Sequence, residues 1–245
     1  MPGAALVTGA SRGIGAATAR LLGQRGYAVC VNYLRDADAA MRVVDAIHAA
    51  GGRAVALRAD VSDPTEVTSL FDGAEAAFGP LSVLVNNAGV TGPLGPVARA
   101  EPAAMRRVIE VNVLGVMYCA REAVRRMARD AGGAIVNVSS GAASLGSPGE
   151  FVDYAASKAA VDTFTLGLAK EVAGAGPRVN AVAPGLVDTD LHAAAGEPDR
   201  PARIAPTVPM GRAGSAEEIA RTIVWLLSDE ASYVTGAILR VAGGR

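Results

Sequence analysis

The chain has 245 residues and a net charge of −1 at pH 7, with 51% hydrophobic and 19% charged residues. This is an ordinary globular composition, and it carries no general footprint for nucleic acid or for an acidic membrane surface. No apolar run approaches the roughly 18 residues needed to cross a bilayer. Cys30 and Cys119 are far apart, as are His48 and His192, so disulfide and metal spacings are absent. The composition therefore predicts a cytoplasmic protein with reduced thiols and without metal, nucleic-acid or membrane partners.

The first predicted strand, residues 4–8, leads into a glycine-rich turn and then a helix. In the segment Thr-Gly-Ala-Ser-Arg-Gly-Ile-Gly at 8–15, Gly9 permits a tight turn and Gly13 lets backbone amides approach a pyrophosphate. Gly15 lets the helix pack closely, and the helix N-terminus supplies the positive end of a dipole. A plain strand–helix turn is the alternative, but the position after the first strand favours phosphate binding. The predicted contacts of this turn are Gly9, Ser11, Arg12, Gly13, Ile14 and Gly15.

The second predicted strand, residues 27–32, ends without the acid that NAD sites usually place there to bind the ribose 2′-hydroxyl. The chain has Asn32-Tyr33-Leu34-Arg35 at this point. With no acid to repel a 2′-phosphate, and with Arg12 and Arg35 as plausible partners, the sequence favours NADP(H). NAD(H) stays possible, since Arg35 is also compatible with a solvated loop.

The third and fourth predicted strands, residues 53–58 and 81–85, also end in polar residues. Asp60 after the third is suited to bind an adenine amino group or to cap a turn. The fourth ends in the Asn-Asn-Ala-Gly segment at 86–89. A helical pattern then extends from about 101 to 130, with Asn112 inside an apolar section. A buried amide needs partners, so Asn112 is either a structural hydrogen-bonder or a relay in a site.

The fifth predicted strand delivers two hydroxyls, Ser139 and Ser140, and the next helix carries Tyr154 and Lys158. A spacing of four places the phenol and the ammonium on one helix face. A nearby cation favours the phenolate and moves the phenol pKa toward the range of an acid–base catalyst. The alternative for the pair alone is an amphipathic helix with the tyrosine inside and the lysine outside.

After a sixth predicted strand at 178–183 comes Pro-Gly-Leu-Val-Asp-Thr at 184–189. Residues 190–214 are long for a loop, and such loops are usually functional lids or disordered. Ser215 begins a capping box for another helix, and residues 237–241 form the last strand. Strands and helices alternate throughout, so we predict a doubly wound α/β fold: about seven parallel strands with helices on both faces. Ligands of such sheets bind at the carboxyl ends of the strands, where the polar segments lie.

These motifs together resemble the short-chain dehydrogenase/reductase family along essentially the whole chain. Within the family, the chain resembles a bacterial subgroup whose members are often labelled glucose 1-dehydrogenase-like or 3-oxoacyl-carrier-protein-reductase-like. The resemblance implies one NAD(P)-binding Rossmann-fold domain over 1–245, with a substrate lid at about 190–214. It also implies hydride transfer between nicotinamide and a small carbonyl or alcohol substrate, in a homotetramer or homodimer.

The resemblance also assigns roles. Tyr154 would donate the proton, Lys158 would lower its pKa and bind ribose hydroxyls, and Ser140 would bind the substrate oxygen, with Ser139 as a second candidate. Asn112 would hold a water that links Lys158 to solvent. The remaining cofactor contacts would be Asn32, Tyr33, Asp60, Val61, Asn87, Ala88, Gly89, Tyr154, Lys158, Pro184, Gly185, Val187 and Thr189.

Substrate contacts are expected from the lid, through Leu191, His192, Ile204, Val208 and Met210, which suggest a mixed, partly apolar pocket. Two alternatives stay open: a dinucleotide-binding regulator without catalysis, and an NAD-dependent sugar or alcohol dehydrogenase. A regulator would not need Asn112, Ser140, Tyr154 and Lys158 together, so the sequence favours the enzyme.

Overall fold

The computed structural model describes residues 3–127, 132–174, 176–189 and 196–245. Its strands are β1 Ala4–Val7, β2 Ala28–Tyr33, β3 Arg53–Arg58, β4 Leu81–Asn86, β5 Ala134–Val138, β6 Arg178–Pro184 and β7 Ile238–Val241. They form one seven-stranded sheet in the order β3-β2-β1-β4-β5-β6-β7, and every pair is parallel. The predicted doubly wound Rossmann architecture is confirmed.

Helices connect the strands. They are α1 Gly13–Gln24, α2 Ala37–Ala49, α3 Pro64–Phe78, α4 Pro102–Ile109, α5 Gly115–Arg126, α6 Ala142–Leu145, α7 Val152–Val172, α8 Arg200–Ile204 and α9 Ala216–Leu227. A π-helical turn, Glu110–Leu114, joins α4 to α5. Such turns are rare in proteins, and those that occur are often found at functional sites. Among the described residues, no helix is both long and apolar enough to cross a membrane.

The sheet is covered on both faces because successive strand residues point to opposite sides. Ala5 and Val7 of β1 pack into the layer formed by α1, α2 and α9. Their neighbours Ala4 and Leu6 pack into the opposite layer with α3, α5 and α7. The near-continuous apolar strands of the sequence follow from this double burial.

Local sequence signals place several helix starts. The Asp63 side chain accepts hydrogen bonds from the Thr65 and Glu66 amides at the start of α3, and Ser215 and Glu218 form the predicted capping box of α9. Two short helices, α6 and α8, were not predicted from the sequence. Both are near the site, and four or five residues are too few to produce a readable helical period.

The chain reverses its direction of travel across the sheet between β1 and β4, which are neighbours although β2 and β3 intervene in sequence. In open α/β sheets this switch point is where ligands bind. On the far side of the site, Gly214 exchanges backbone hydrogen bonds with Leu186 and Asp188. These bonds hold the end of the segment 196–214 against the residues that follow β6.

Candidate active site

A cavity of about 970 Å³ opens at the carboxyl edge of the sheet. Its volume lies at the upper end of the range for small-molecule pockets. Nearly every catalytic or cofactor-binding residue predicted from the sequence contributes to its wall; the exceptions in this group are Gly15 and Asn112. Segments more than 150 residues apart in sequence therefore meet around one space.

The glycine turn after β1 is locked to the end of β4. The hydroxyl of Thr8 accepts hydrogen bonds from the amides of Asn87 and Ala88, both at 3.0 Å. In return, Asn87 Nδ2 donates to the carbonyls of Thr8 and Gly9, both at 2.9 Å. Gly9 has φ +60°, and a Cβ there would lie 2.8 Å from the Ala88 Cα. Thr8 was not among the predicted site residues, and its role appears only when the two strand ends are adjacent.

The start of α1 suits a pyrophosphate group. The first amides of a helix have no partner within it and carry the positive end of its dipole. Ser11, Arg12, Gly13 and Ile14 place this helix end on the cavity wall. Gly15 lies behind it, where a Cβ would come within 2.5 Å of the Gly9 carbonyl oxygen. Gly15 thus permits close packing of α1, and the residues present fit a dinucleotide.

Asn32 has a structural role beside its predicted one. The residue is 2% exposed, and its side chain accepts a hydrogen bond from the Gly9 amide at 3.1 Å. The Nδ2 group donates to the carbonyls of Tyr33, Leu57 and Ala59 at 3.2–3.4 Å. All of these bonds run to the backbone, so the Asn32 side chain holds the turn in place, and the residue also lines the cavity.

Two exposed arginines, Arg12 and Arg35, lie on the wall of the cavity near Tyr33. Within the described ranges, neither forms an ion pair. The guanidinium groups are therefore available to an anionic ligand at this end of the cavity.

Asp60, after β3, is held by neighbours. Its carboxylate accepts from the Ser62 amide at 2.9 Å and the Ser62 hydroxyl at 2.7 Å, and it pairs with Arg107 at 2.8 Å. Burial works against ionisation, but the Ser62 and Arg107 contacts outweigh it and lower the pKa of Asp60. Asp60 therefore caps a turn, and it also faces the cavity as an ionised acceptor. Arg107 was missed because its partner is 47 residues away in sequence.

The two serines after β5 have separate surroundings. Ser140 forms a side-chain hydrogen bond with Tyr154, and its Oγ accepts from the Ala142 amide at 3.1 Å. Ser139 is 2% exposed, and its hydroxyl donates to the Lys158 carbonyl at 3.3 Å. Only Ser140 is paired with the phenol.

The pKa of Tyr154 differs from the sequence expectation. Burial raises it above its ordinary value, while the Ser140 hydrogen bond and the charge of Arg200 act in the opposite direction. Lys158 was expected to lower this pKa. Its Nζ lies 5.7 Å from the centre of the Tyr154 ring and donates at 2.7 Å to the Val138 carbonyl. The phenol is therefore protonated at neutral pH.

Lys158 is 3% exposed, and burial lowers its pKa to about 8, an effect that the carboxyl group of Asp162 opposes. A lysine so deeply buried near a cavity is uncommon. Perturbed titration together with a place on a cavity wall is typical of functional groups.

Asn112 lies in the π-helical turn and is completely buried. Its side chain exchanges hydrogen bonds of 2.8 Å with the backbone of Val90 in both directions and donates to the Ser157 hydroxyl at 3.0 Å. Both amide hydrogens are thus in use. The contacts join the segment after β4 to the helix of Tyr154 and Lys158.

Another part of the cavity wall is formed by α8 and by the residues just before α7. Arg200 stacks over the Phe151 ring at 5.4 Å and pairs with Glu150, and Ile204 lies one turn further along. Of the other predicted substrate contacts, Val208 is buried beside Leu186 and Ile204, and Met210 is 70% exposed. Leu191 and His192 lie outside the described residues. Among those described, no cluster of metal-ligating side chains occurs.

Comparisons with known proteins agree with this arrangement. Residues 9–245 match a family model described as enoyl-(acyl carrier protein) reductase. A short chain dehydrogenase from Burkholderia cenocepacia J2315, solved in complex with NADP, is 35% identical with a TM-score of 0.90 over 99% of this chain and 97% of that one. The chain belongs to the short-chain dehydrogenase/reductase family.

Two curated relatives of the short-chain dehydrogenase/reductase type are closer in sequence. The uncharacterized oxidoreductase YgfF of Escherichia coli strain K12 is 53% identical over 98% of this chain and 99% of its own length. The cis-4-hydroxycyclohexanecarboxylate dehydrogenase of Sinomonas cyclohexanicum is 48% identical over 98% of this chain and 95% of its own. This chain, like them, is an oxidoreductase.

Proposed function

We propose that the protein is an NADP(H)-dependent oxidoreductase that interconverts a small carbonyl compound and its alcohol, with Tyr154 as general acid and base. The observation that carries the proposal is the meeting of Ser140, Tyr154 and Lys158 on one wall of a cavity whose far end is the glycine turn before α1. A bound nicotinamide supplies or accepts the hydride. The chain itself binds, orients and moves the proton.

Each of these residues then has a defined role in the reaction. In reduction, the Tyr154 hydroxyl gives its proton to the substrate oxygen, and the raised pKa keeps that proton in place until charge develops on the oxygen. Ser140 donates a hydrogen bond to the same oxygen. Lys158 supplies a fixed positive charge and a donor for ribose hydroxyls. Asn112 positions Val90 against the helix of Tyr154, and its water-holding role remains a prediction.

The predicted cofactor contacts divide along the cavity. Asp60 and Val61 would hold the adenine, and Asn87, Ala88 and Gly89 would line the middle. Pro184, Gly185, Val187 and Thr189 would hold the nicotinamide amide at the other end. Every one of these residues lies on the cavity wall.

We further propose that residues 190–214 form a lid over the substrate and that residues 1–245 act as one NAD(P)-binding domain. Arg200 and Ile204 reach the cavity from this segment, which supports the lid. The unbroken sheet from β3 to β7 supports the single domain. Leu166 on α7 and Ile109 on α4 are large apolar residues left exposed, which supports a homodimer or homotetramer through the long helices. Cys30 and Cys119 are buried free thiols, which suits the predicted cytoplasmic location.

Cofactor preference is expected to depend on Arg12 and Arg35. The double variant Arg12→Ala/Arg35→Ala should raise KM for NADPH by about 10–100-fold, because a 2′-phosphate would lose charge-assisted hydrogen bonds. KM for NADH should change by less than about threefold. Initial rates with both cofactors test this, with Arg25→Ala as a control on an exposed arginine. A wild-type preference for NADH would contradict the NADP(H) assignment.

The two serines give a second test. Ser140→Ala should lower kcat by about 10²-fold, because a donor to the reacting oxygen is lost. Ser139→Ala should lower kcat by less than about tenfold, since its hydroxyl serves the Lys158 backbone. Steady-state kinetics of both variants, after a thermal-melting check, make the comparison. Equal losses would remove the distinction between the two residues.

The relative from Sinomonas is named for a ring alcohol. We propose that cyclic ketones are among the compounds this protein reduces, and such ketones are suitable first substrates for assay.

A further inference from the structure

The substrate end of the cavity is rich in arginine. Arg200, Arg240 and Arg245 all contribute to its wall beyond the serine and tyrosine, and Glu150 is the acid that accompanies them. Arg240 lies beside Gly141, the residue after Ser140, at 3.7 Å from the position of a Cβ. Three arginines and one acid among these lining residues give this end of the cavity a net positive charge. A positive cleft of this kind concentrates anions.

Arg200 is the most deeply placed of the three. Its side chain is only 12% exposed, and the charge is close enough to Tyr154 to affect the titration of the phenol. One guanidinium nitrogen, Nη2, is paired with Glu150, and the ring of Phe151 supports the planar group. The side chain is therefore held in one orientation within reach of the reacting centre.

The Arg200 pairing is incomplete. Its Nε–H is buried and has no acceptor among the described residues. Buried charged donors are normally satisfied, and an exception calls for a partner. The Nε–H and the adjacent Nη2 form the edge of a guanidinium that matches a carboxylate in a two-bond arrangement. Glu150 occupies only part of that edge.

The rest of this wall is apolar. Leu145, Pro148, Phe151, Leu186 and Ile204 line the same cavity. A compound that fills this region would have a carbonyl at Ser140 and Tyr154, a hydrocarbon body, and a negative charge at the other end. Long acyl or steroid-like bodies without a charge would leave the Arg200 Nε–H unpaired.

We infer that this protein selects keto acids and hydroxy acids, and that Arg200 is the residue that binds the substrate carboxylate. The inference rests on the proposed oxidoreductase function and names its substrate class.

The test compares an acid with its neutral ester on the same ring. 4-Oxocyclohexanecarboxylate and its methyl ester are reduced with NADPH by wild type, Arg200→Met and Arg203→Met. Methionine keeps an apolar side chain against Phe151. Arg203 lies on the same helix, is 57% exposed, pairs with Glu197 and does not contribute to the cavity wall, so it is the matched control.

We expect wild type to have a kcat/KM at least about tenfold higher for the acid than for the ester. Arg200→Met should lose about 10–100-fold of this ratio, and Arg203→Met should keep the ratio. Glu150→Gln should raise the preference for the acid, because a competing negative charge is removed. An absent preference in wild type, or equal losses for acid and ester in Arg200→Met, would overturn the inference.

A binding measurement separates this inference from the proposed function. Calorimetric titration of the NADPH-saturated protein with cyclohexanecarboxylate needs no turnover. We expect wild type to bind the acid at least about tenfold more tightly than Arg200→Met does. Equal binding, or no binding by wild type, overturns the inference even if ketones are reduced. Reduction of the ester without preference for the acid would leave the oxidoreductase function standing alone.

Discussion

Tyr154→Phe is expected to lower kcat for ketone reduction by about 10²–10⁴-fold while NADPH binding stays within about threefold of wild type. The phenol is the group on this wall whose proton is held in place by a raised pKa and that is hydrogen-bonded to Ser140. Removal of one hydroxyl deletes the proton donor and leaves the ring, its edge contact with Phe151 and the cavity shape unchanged. The loss should therefore appear in kcat and not in cofactor affinity.

The measurement combines NADPH oxidation over a carbonyl panel with a direct titration of NADPH. Tyr233→Phe is the control, because Tyr233 is fully exposed and does not contribute to the cavity wall. Near-normal turnover in Tyr154→Phe would rule out the proposed mechanism. If wild type bound NADPH but reduced no carbonyl compound in the panel, a dinucleotide-binding regulator would become the better description.

Asn32→Asp is expected to destabilise the protein by about 3 kcal/mol at pH 7. The Asn32 Nδ2 group donates to three backbone carbonyls, and a carboxylate at the same place would have no hydrogen to give and would face those oxygens while buried. An acid at the end of the second strand is a common means of favouring NAD. In this protein, an acid at position 32 would disturb the glycine turn.

The pH dependence of this variant gives a second check. Burial beside carbonyl oxygens raises the pKa of an acid at position 32 above its unfolded value, so the folded state binds more protons than the unfolded state between the two values. Stability of Asn32→Asp should therefore fall as pH rises through that interval, and the gap from wild type should narrow at about pH 5. Urea denaturation at both pH values measures it. Arg35→Asp, on the exposed rim, should stay within about 0.5 kcal/mol of wild type, and a similar result for Asn32→Asp would contradict the structural role.

Much of the site could be predicted because its residues follow strands directly. A strand in a parallel sheet fixes where its carboxyl end lies, so Gly9, Asp60, Asn87, Ser140 and Thr189 had to meet at one edge once seven parallel strands were predicted. The shared position of Tyr154 and Lys158 was equally predictable, because a spacing of four on a helix determines a shared face. These placements depend on local periodicity, and local periodicity is written in the sequence.

The direction in which a side chain points, and the groups that it binds, could not be predicted from the sequence in the same way. Asn32 was predicted to meet the cofactor, and nothing in the sequence indicated that its side-chain amide would also bind Gly9 and the carbonyls of Leu57 and Ala59. Arg107 and Arg200 were missed, since Asp60 and Glu150 are 47 and 50 residues away in sequence. Lys158 was expected to lower the pKa of Tyr154, and the sequence did not show that burial raises this pKa.

The sequence by itself therefore determined the doubly wound sheet, the edge at which the site lies and the residue types gathered there. The tertiary structure decided which of the two serines pairs with the phenol, which amides are used to hold the turn, and which arginine is left with an unpaired donor beside the reacting centre. The physical reason is that strand and helix positions follow from short-range periodicity. Hydrogen-bond partners and desolvation depend on groups that only folding brings together.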